Sequence, residues 1–106
     1  MIIVTTNDLP GYRVTSVVGL ARGITVRSRS IVGNIGGAIQ SIFGGNISVY
    51  TNLAEQARSE ALSLLTSDAQ KMGANAIIAM RYDANEIMDG ITEVLAYGTA
   101  VVVEKS

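Results

Sequence analysis

Cysteine and histidine are both missing from this 106-residue chain. Without Cys there is no disulfide and no thiolate nucleophile, and without His there is no imidazole base. Zinc and copper lose their usual ligands with them. Trp is also absent, Phe43 is the single Phe, and Pro10 is the single Pro. Yet 48% of the residues are hydrophobic, so core volume must come from Ile, Val, Leu and Ala. Each fully buried aliphatic side chain contributes on the order of 1.5–3 kcal/mol. Eleven Gly add conformational entropy that folding must overcome. A single domain of this length buries only about two-thirds of its unfolded surface, so an isolated subunit is expected to be marginally stable.

Charge is low overall and unevenly placed. The formal net charge of −1 argues against nucleic acid or an anionic membrane as a general partner. Residues 1–50 nevertheless carry Arg13, Arg22, Arg27 and Arg29 against Asp8, a net of +3. Residues 51–106 carry four bases against eight acids, a net of −4. In a homo-oligomer the basic half of one copy could meet the acidic half of the next; scattered, solvated charge is the plainer alternative. The absence of Cys fits a cytoplasmic protein. The Met1-Ile2-Ile3-Val4 start is too short for the apolar region of a signal peptide. Nothing between Arg29 and Glu55 is charged, but Asn34, Gln40, Asn46 and five Gly interrupt that stretch. It is therefore not expected to span a membrane.

Periodicity predicts an α+β domain. Ile2–Thr6 reads as a short β-branched strand, closed by the turn residues Asn7-Asp8-Leu9-Pro10-Gly11. Tyr12 to about Val26 alternates as a long strand. One face holds Val14, Ser16, Val18, Leu20, Arg22 and Ile24, and the other Thr15, Val17, Gly19, Ala21, Gly23 and Thr25. The small second set suits a helix lying unusually close. Ile31, Ile35, Ile39 and Ile42/Phe43 have helical spacing despite Gly33, Gly36 and Gly37, and Gly44-Gly45 ends that segment.

A long helix is predicted from about Asn52 to Met72. Asn52 and Glu55 match a capping box, although the start could equally lie nearer Ser48. Its buried stripe would be Ala54, Ala57, Ala61, Leu64/Leu65, Asp68/Ala69 and Met72. Lys71 and Gly73 supply the C-terminal signature. Asn75 to about Asp83 and Thr92 to Val103 follow as strands around a polar connection containing Asp89-Gly90. Both faces of the last strand are largely apolar. One helix covers one side of a sheet, which leaves the other side for a second copy of the chain.

Several segments in order resemble the YbjQ family. They are Thr5-Thr6, Gly23-Ile24-Thr25-Val26-Arg27-Ser28-Arg29, Gly44-Gly45, Ala57-Arg58, Gly73-Ala74-Asn75-Ala76-Ile77-Ile78 and Tyr97-Gly98-Thr99-Ala100-Val101. These are small bacterial and archaeal proteins of uncharacterised function, also labelled a heavy-metal-binding domain. The resemblance covers essentially the whole chain as one domain. It implies a β-α-β-β subunit of dodecin-like fold, with an antiparallel sheet packed by one long helix, assembled as a homopentamer. It implies no enzyme activity and no cofactor. The heavy-metal label fits this composition poorly, because the only soft donors are the thioethers of Met1, Met72, Met80 and Met88, read here as core filler.

Three groups of residues carry the remaining chemistry. Asp83, Glu86, Asp89 and Glu93, with Asn85, surround the last hairpin and offer oxygen ligands to a hard cation such as calcium or magnesium. A solvated polar turn is the simpler reading, and the spacing is not that of an EF-hand loop. Arg27 and Arg29 alternate and would share one face of a strand, suited to an anion or to pairing with Glu86 or Asp89 of a neighbour. Gly33-Asn34-Ile35-Gly36-Gly37 lacks the Lys-Ser/Thr that a phosphate loop needs. Lys71 and Lys105 have no nucleophile motif beside them, so a non-enzymatic protein is expected. The expected partner is another copy of the chain, with a small ligand or metal ion at the interface as the alternative.

Overall fold

β-branched residues crowd the sequence on either side of one Ala-rich stretch, and the architecture follows that division. The computed structural model describes residues 1–28 and 48–106. Strands β1 (Ile2–Ile3) and β2 (Tyr12–Ser28) precede helix α1 (Ser48–Lys71), and β3 (Ala76–Met88) and β4 (Ile91–Lys105) follow it. The sheet order is β1-β3-β4-β2. β4 pairs antiparallel with both β2 and β3, while β1 adds parallel to β3 through Ile2 and Ile3. The expected antiparallel sheet thus carries one short parallel strand. The predicted strand over Ile2–Thr6 is shorter than expected. Its hydrogen bonds to β3 nevertheless continue, from Val4 N–H to Ile77 C=O at 3.0 Å and from Met80 N–H to Val4 C=O at 3.0 Å. The Gly-rich helix expected over Ile31–Phe43, the Gly44-Gly45 pair and Arg29 lie outside the described residues.

Helix α1 begins at Ser48, the earlier of the two starts the sequence allowed, so Asn52 is inside the helix and does not cap it. Its C-terminus behaves as the sequence predicts. Gly73 has φ +88° and donates its N–H to Gln70 C=O at 3.0 Å, and Ala74 donates to Ala69 C=O at 3.1 Å. This is the paired closure that a left-handed residue after a helix permits. The buried stripe is narrower than predicted: Ala57, Ala61, Leu65 and Ala69 are buried, whereas Ala54 and Leu64 are exposed. Four residues advance a helix slightly past one turn, so a spacing-of-four line stays on the sheet while its neighbours drift off.

Small residues set the packing distance. Gly23 lies under the helix so closely that a Cβ there would meet Ala61 C=O and Leu65 N at 2.3 Å. Ala21, Ala96 and Ala100 complete the sheet's side of the contact. The close approach expected from the Gly/Ala face is realised, but the alternation of β2 is broken. Register shifts fall between Val14 and Ser16 and between Val17 and Gly19. They bring Val18 onto the helix-side core with Ala21, although the sequence pattern put these two on opposite faces. A one-residue insertion reverses every side chain beyond it. The four Met also divide: Met80 is in the core and Met72 packs against it, but Met1 and Met88 are exposed and fill nothing. Among the described residues no helix is long and apolar enough to cross a membrane.

Candidate functional site

The face of the sheet turned away from α1 exposes several aliphatic side chains, and the ladder register shows which. Cross-strand partners point to the same side of a sheet. Gly23 pairs with Ala96 and Thr25 with Val94, and these stand under the helix. The intervening pairs therefore face away: Leu20 with Thr99, Arg22 with Tyr97, Ile24 with Leu95 and Val26 with Glu93. β3 extends all four rows, with Ile78 beside Thr99, Arg81 beside Tyr97, Asp83 beside Leu95 and Asn85 beside Glu93. Leu20 is 64% exposed, Ile24 43% and Val26 48%. Three aliphatic side chains open to water on one strand face, interrupted only by Arg22 and on the far side from the helix, are the signature of a face built to be covered.

The molecule's shape agrees. The described residues extend 55 × 25 × 18 Å with a radius of gyration of 17.1 Å. About 13 Å is usual for a self-contained domain of 100 residues. Every residue from Arg81 to Asp89 is exposed, including Tyr82, Ile87 and Met88. Arg58 of the helix lies over the Tyr82 ring at 5.6 Å, a cation–π contact at the helix side of this region.

Among the described residues both long borders of the sheet are open there. β2 is terminal in the strand order, and β1 covers β3 only at Ala76 and Ile77. Carboxylates take the place of a missing strand at both borders. Asp68 Oδ2 accepts Arg22 N–H at 3.0 Å, and Asp83 Oδ1 accepts Ala84 N–H at 3.0 Å. Between the β2 border and the flank of α1 runs a groove of about 330 Å³, lined by Arg22, Gly23, Ile24, Leu64, Ser67, Asp68 and Lys71.

The sequence-predicted site residues take definite places. Arg27 stands on the helix side and donates through Nη2 to Glu60 Oε2 at 2.5 Å. Thr25 Oγ1 donates to Glu60 Oε1 at 3.1 Å. The Arg27 hydrogen bond, followed by that from Thr25, holds the Glu60 carboxyl below its ordinary value. Arg27 therefore has a partner within its own chain that the sequence reading did not name. Glu60 sits 33 residues away in sequence, and only helix-on-sheet packing brings it close. Glu86 and Arg27 do share a row, through their common neighbour Thr92, but two strand spacings, about 10 Å, separate their backbones. Asp83 and Glu86 are three apart on one strand and so occupy opposite faces, while Asp89 lies in the turn beyond. Glu86 Oε1 accepts Gly90 N–H at 3.0 Å. Among the described residues no three acidic groups gather where they could hold a metal ion. The chain's donors do not suit a soft heavy metal: thiolate and imidazole are absent, and the thioethers are dispersed.

Comparison with known proteins places the whole chain. The YbjQ family model, described as "Putative heavy-metal-binding", matches residues 1–104. A UPF0145 protein of Chromobacterium violaceum is 59% identical over 102 residues, covering 96% of this chain and 87% of that one. One from Solibacter usitatus is 59% identical over 101 residues, covering 95% and 90%. One from Burkholderia thailandensis is 60% identical over 100 residues, covering 94% and 90%. A crystal structure of a protein of unknown function from Pediococcus pentosaceus, assigned to the DUF74 family, has the same fold. Its TM-score is 0.64 at 18% identity, over 98% of each chain.

Proposed function

The chain belongs to the YbjQ family, and on that footing we propose that it is a non-enzymatic subunit of a closed homo-oligomer, five chains to the ring, whose function resides in the assembly. The exposed aliphatic row Leu20, Ile24 and Val26 on the sheet face opposite α1 carries this reading. Burying that row on several subunits removes apolar area from water at about 25 cal/mol per Å², which suits a thin-cored domain that is marginal alone. The absence of Cys suits a cytosolic setting. Light-scattering mass on a sizing column tests the proposal. The expected mass is five times the chain's 11.1 kDa; a stable monomer at micromolar concentration overturns it.

A second reading, an ion- or ligand-binding module formed where subunits meet, draws on the family's printed description and on the groove beside Lys71. In this chain such a site takes a hard cation or an anion, because only oxygen donors, Arg and Lys are at hand. A thermal-shift screen over calcium, magnesium, phosphate and carboxylates reads it out, since a ligand that binds the folded state raises the melting temperature. Unchanged melting at millimolar concentrations of all of them excludes this reading.

A further inference from the structure

Among the described residues the sheet has two open borders, with Arg22 and Arg27 on β2 and Asp83 and Glu86, beyond Arg81, on β3. We propose that subunits join head to tail by strand addition, with the outer part of β2 of one copy pairing in parallel with the outer part of β3 of the next. This deepens the homo-oligomeric reading and rests on it.

Hydrogen-bonding capacity comes first. Arg22 gives its N–H to Asp68 rather than to β4, so alternation in an antiparallel ladder turns the N–H groups of Leu20, Ile24 and Val26 outward as well. On β3, Met80 N–H points away from β4 to Val4, and the same alternation turns out Tyr82, Ala84 and Glu86. Outward N–H rows at a sheet border are templates for another strand. The carboxylates of Asp68 and Asp83 hold one N–H on each border, where a strand carbonyl would otherwise sit.

Direction and face then select the partner. β2 and β3 are both antiparallel to β4 and so run parallel to each other. A rotation that joins β2 of one copy to β3 of the next makes a parallel pair and keeps every helix on the same side. The aliphatic rows of all copies then point to the other side together. Charges match face by face. Arg22 and Asp83 both lie on the face away from the helix, and Arg27 and Glu86 both lie on the helix face. Joining two β2 borders about a two-fold axis would instead bring the arginines of one border, Arg22 and Arg27, to those of the other, with no acidic residue of β2 to meet them. A heterologous contact of this kind closes into a ring when its rotation permits.

The test uses two chains, each with one border blocked. Proline removes an outward N–H and blocks addition while being tolerated on a border strand. Ile24→Pro blocks β2, and Ala84→Pro blocks β3. Circular dichroism and a cooperative melt establish that each is folded. Each variant alone is expected to be monomeric, and an equimolar mixture is expected to give a 1:1 dimer, because each retains the border the other lacks. Assembly of the Ala84→Pro chain alone overturns the proposal in favour of β2-to-β2 pairing, and a mixture that stays monomeric overturns it too. Asp83→Lys/Glu86→Lys, which alters only exposed side chains, is expected to weaken assembly at least tenfold, and adding Arg22→Glu should restore part of it. Unchanged assembly of the double variant counts against the proposal. Wild-type protein that is itself a monomer overturns the oligomeric reading as well; a wild-type ring that survives both prolines overturns the border pairing alone.

Discussion

Gly23 of β2 and Ala61 of α1 touch through their backbones: a β-carbon at position 23 would stand 2.3 Å from the Ala61 carbonyl oxygen. The atoms it would strike, Ala61 O, Leu65 N and Leu64 C, are helix backbone and cannot swing aside as a side chain could. Gly23→Ala must therefore lift the helix off the sheet, loosening Ala57, Leu65 and Ala69 along with it. Overfilling a packed core costs about 1–3 kcal/mol, and rigid neighbours put this site at the upper end. For a domain of this size about 3 kcal/mol corresponds to a fall of roughly 12 °C or more in melting temperature. A Gly23→Ala protein that melts within 3 °C of wild type would show that the helix is not seated as described.

Much of this contact was legible beforehand. A strand face of Gly and Ala opposite an Ala-rich helix stripe has one economical explanation, a short helix-to-sheet distance, and Gly23 realises it. The Lys71 and Gly73 terminus was equally legible, because its chemistry is local. The departures share a different cause. The bulges in β2 depend on register against β4, which no pattern within β2 encodes. β3 runs on to Met88 through Asp83, Asn85 and Glu86, poor strand formers held by pairing with β4. Asn52 and Glu55 have the spacing of a cap, but the helix starts at the other position the sequence allowed, Ser48, and runs through Val49, Tyr50 and Thr51, which are poor helix formers. Of the candidate site, Arg27 was visible as a charge and Glu60 was not visible as its partner.

The Glu60 cluster makes acid stability a readable quantity. Its carboxyl is held below the ordinary value of 4.5 by the Arg27 hydrogen bond first and the Thr25 hydrogen bond second. A group whose pKa is lower when folded stabilises the protein above its unfolded value and loses that contribution as pH falls through the folded one. Wild type should therefore melt above Glu60→Gln at pH 7, and the gap should close progressively as pH drops below 4.5. Melting curves of both proteins from pH 7 to pH 3 check this; a gap that stays constant down to pH 3 would place the effect in packing.

Asn75 does the work of a strand residue with its side chain. Its Oδ1 accepts Val103 N–H at 2.8 Å and its Nδ2 donates to Val103 C=O at 2.9 Å. Asn75→Ala strips both partners from a buried residue's backbone and is expected to cost about 1–3 kcal/mol. Asn75→Asp keeps one acceptor but turns a second oxygen toward the Val103 carbonyl. It should therefore be the more damaging change at pH 7. Urea denaturation of the two variants side by side decides it, and Asp at or above Ala in stability would mean that the amide pair is not formed.

Ala79 is the only non-Gly residue with positive φ among the described residues, at +53°. It sits in the irregularity between Ile78 and Arg81 of β3 and donates its N–H to Thr6 C=O at 2.8 Å. The conformation lets β3 turn one backbone donor toward the chain's start while the strand continues. A left-handed backbone costs an L-residue about 1–2 kcal/mol, and a β-branched side chain suffers most. Strand propensity alone ranks Val above Ala above Gly. The backbone here reverses that order: Ala79→Gly should be neutral or slightly stabilising, because relief of strain offsets glycine's entropy of about 0.5–1 kcal/mol. Ala79→Val should lose about 2 kcal/mol or more. Thermal denaturation of the three proteins gives the ranking, and Val at or above Ala in stability would mean that position 79 is ordinary extended strand.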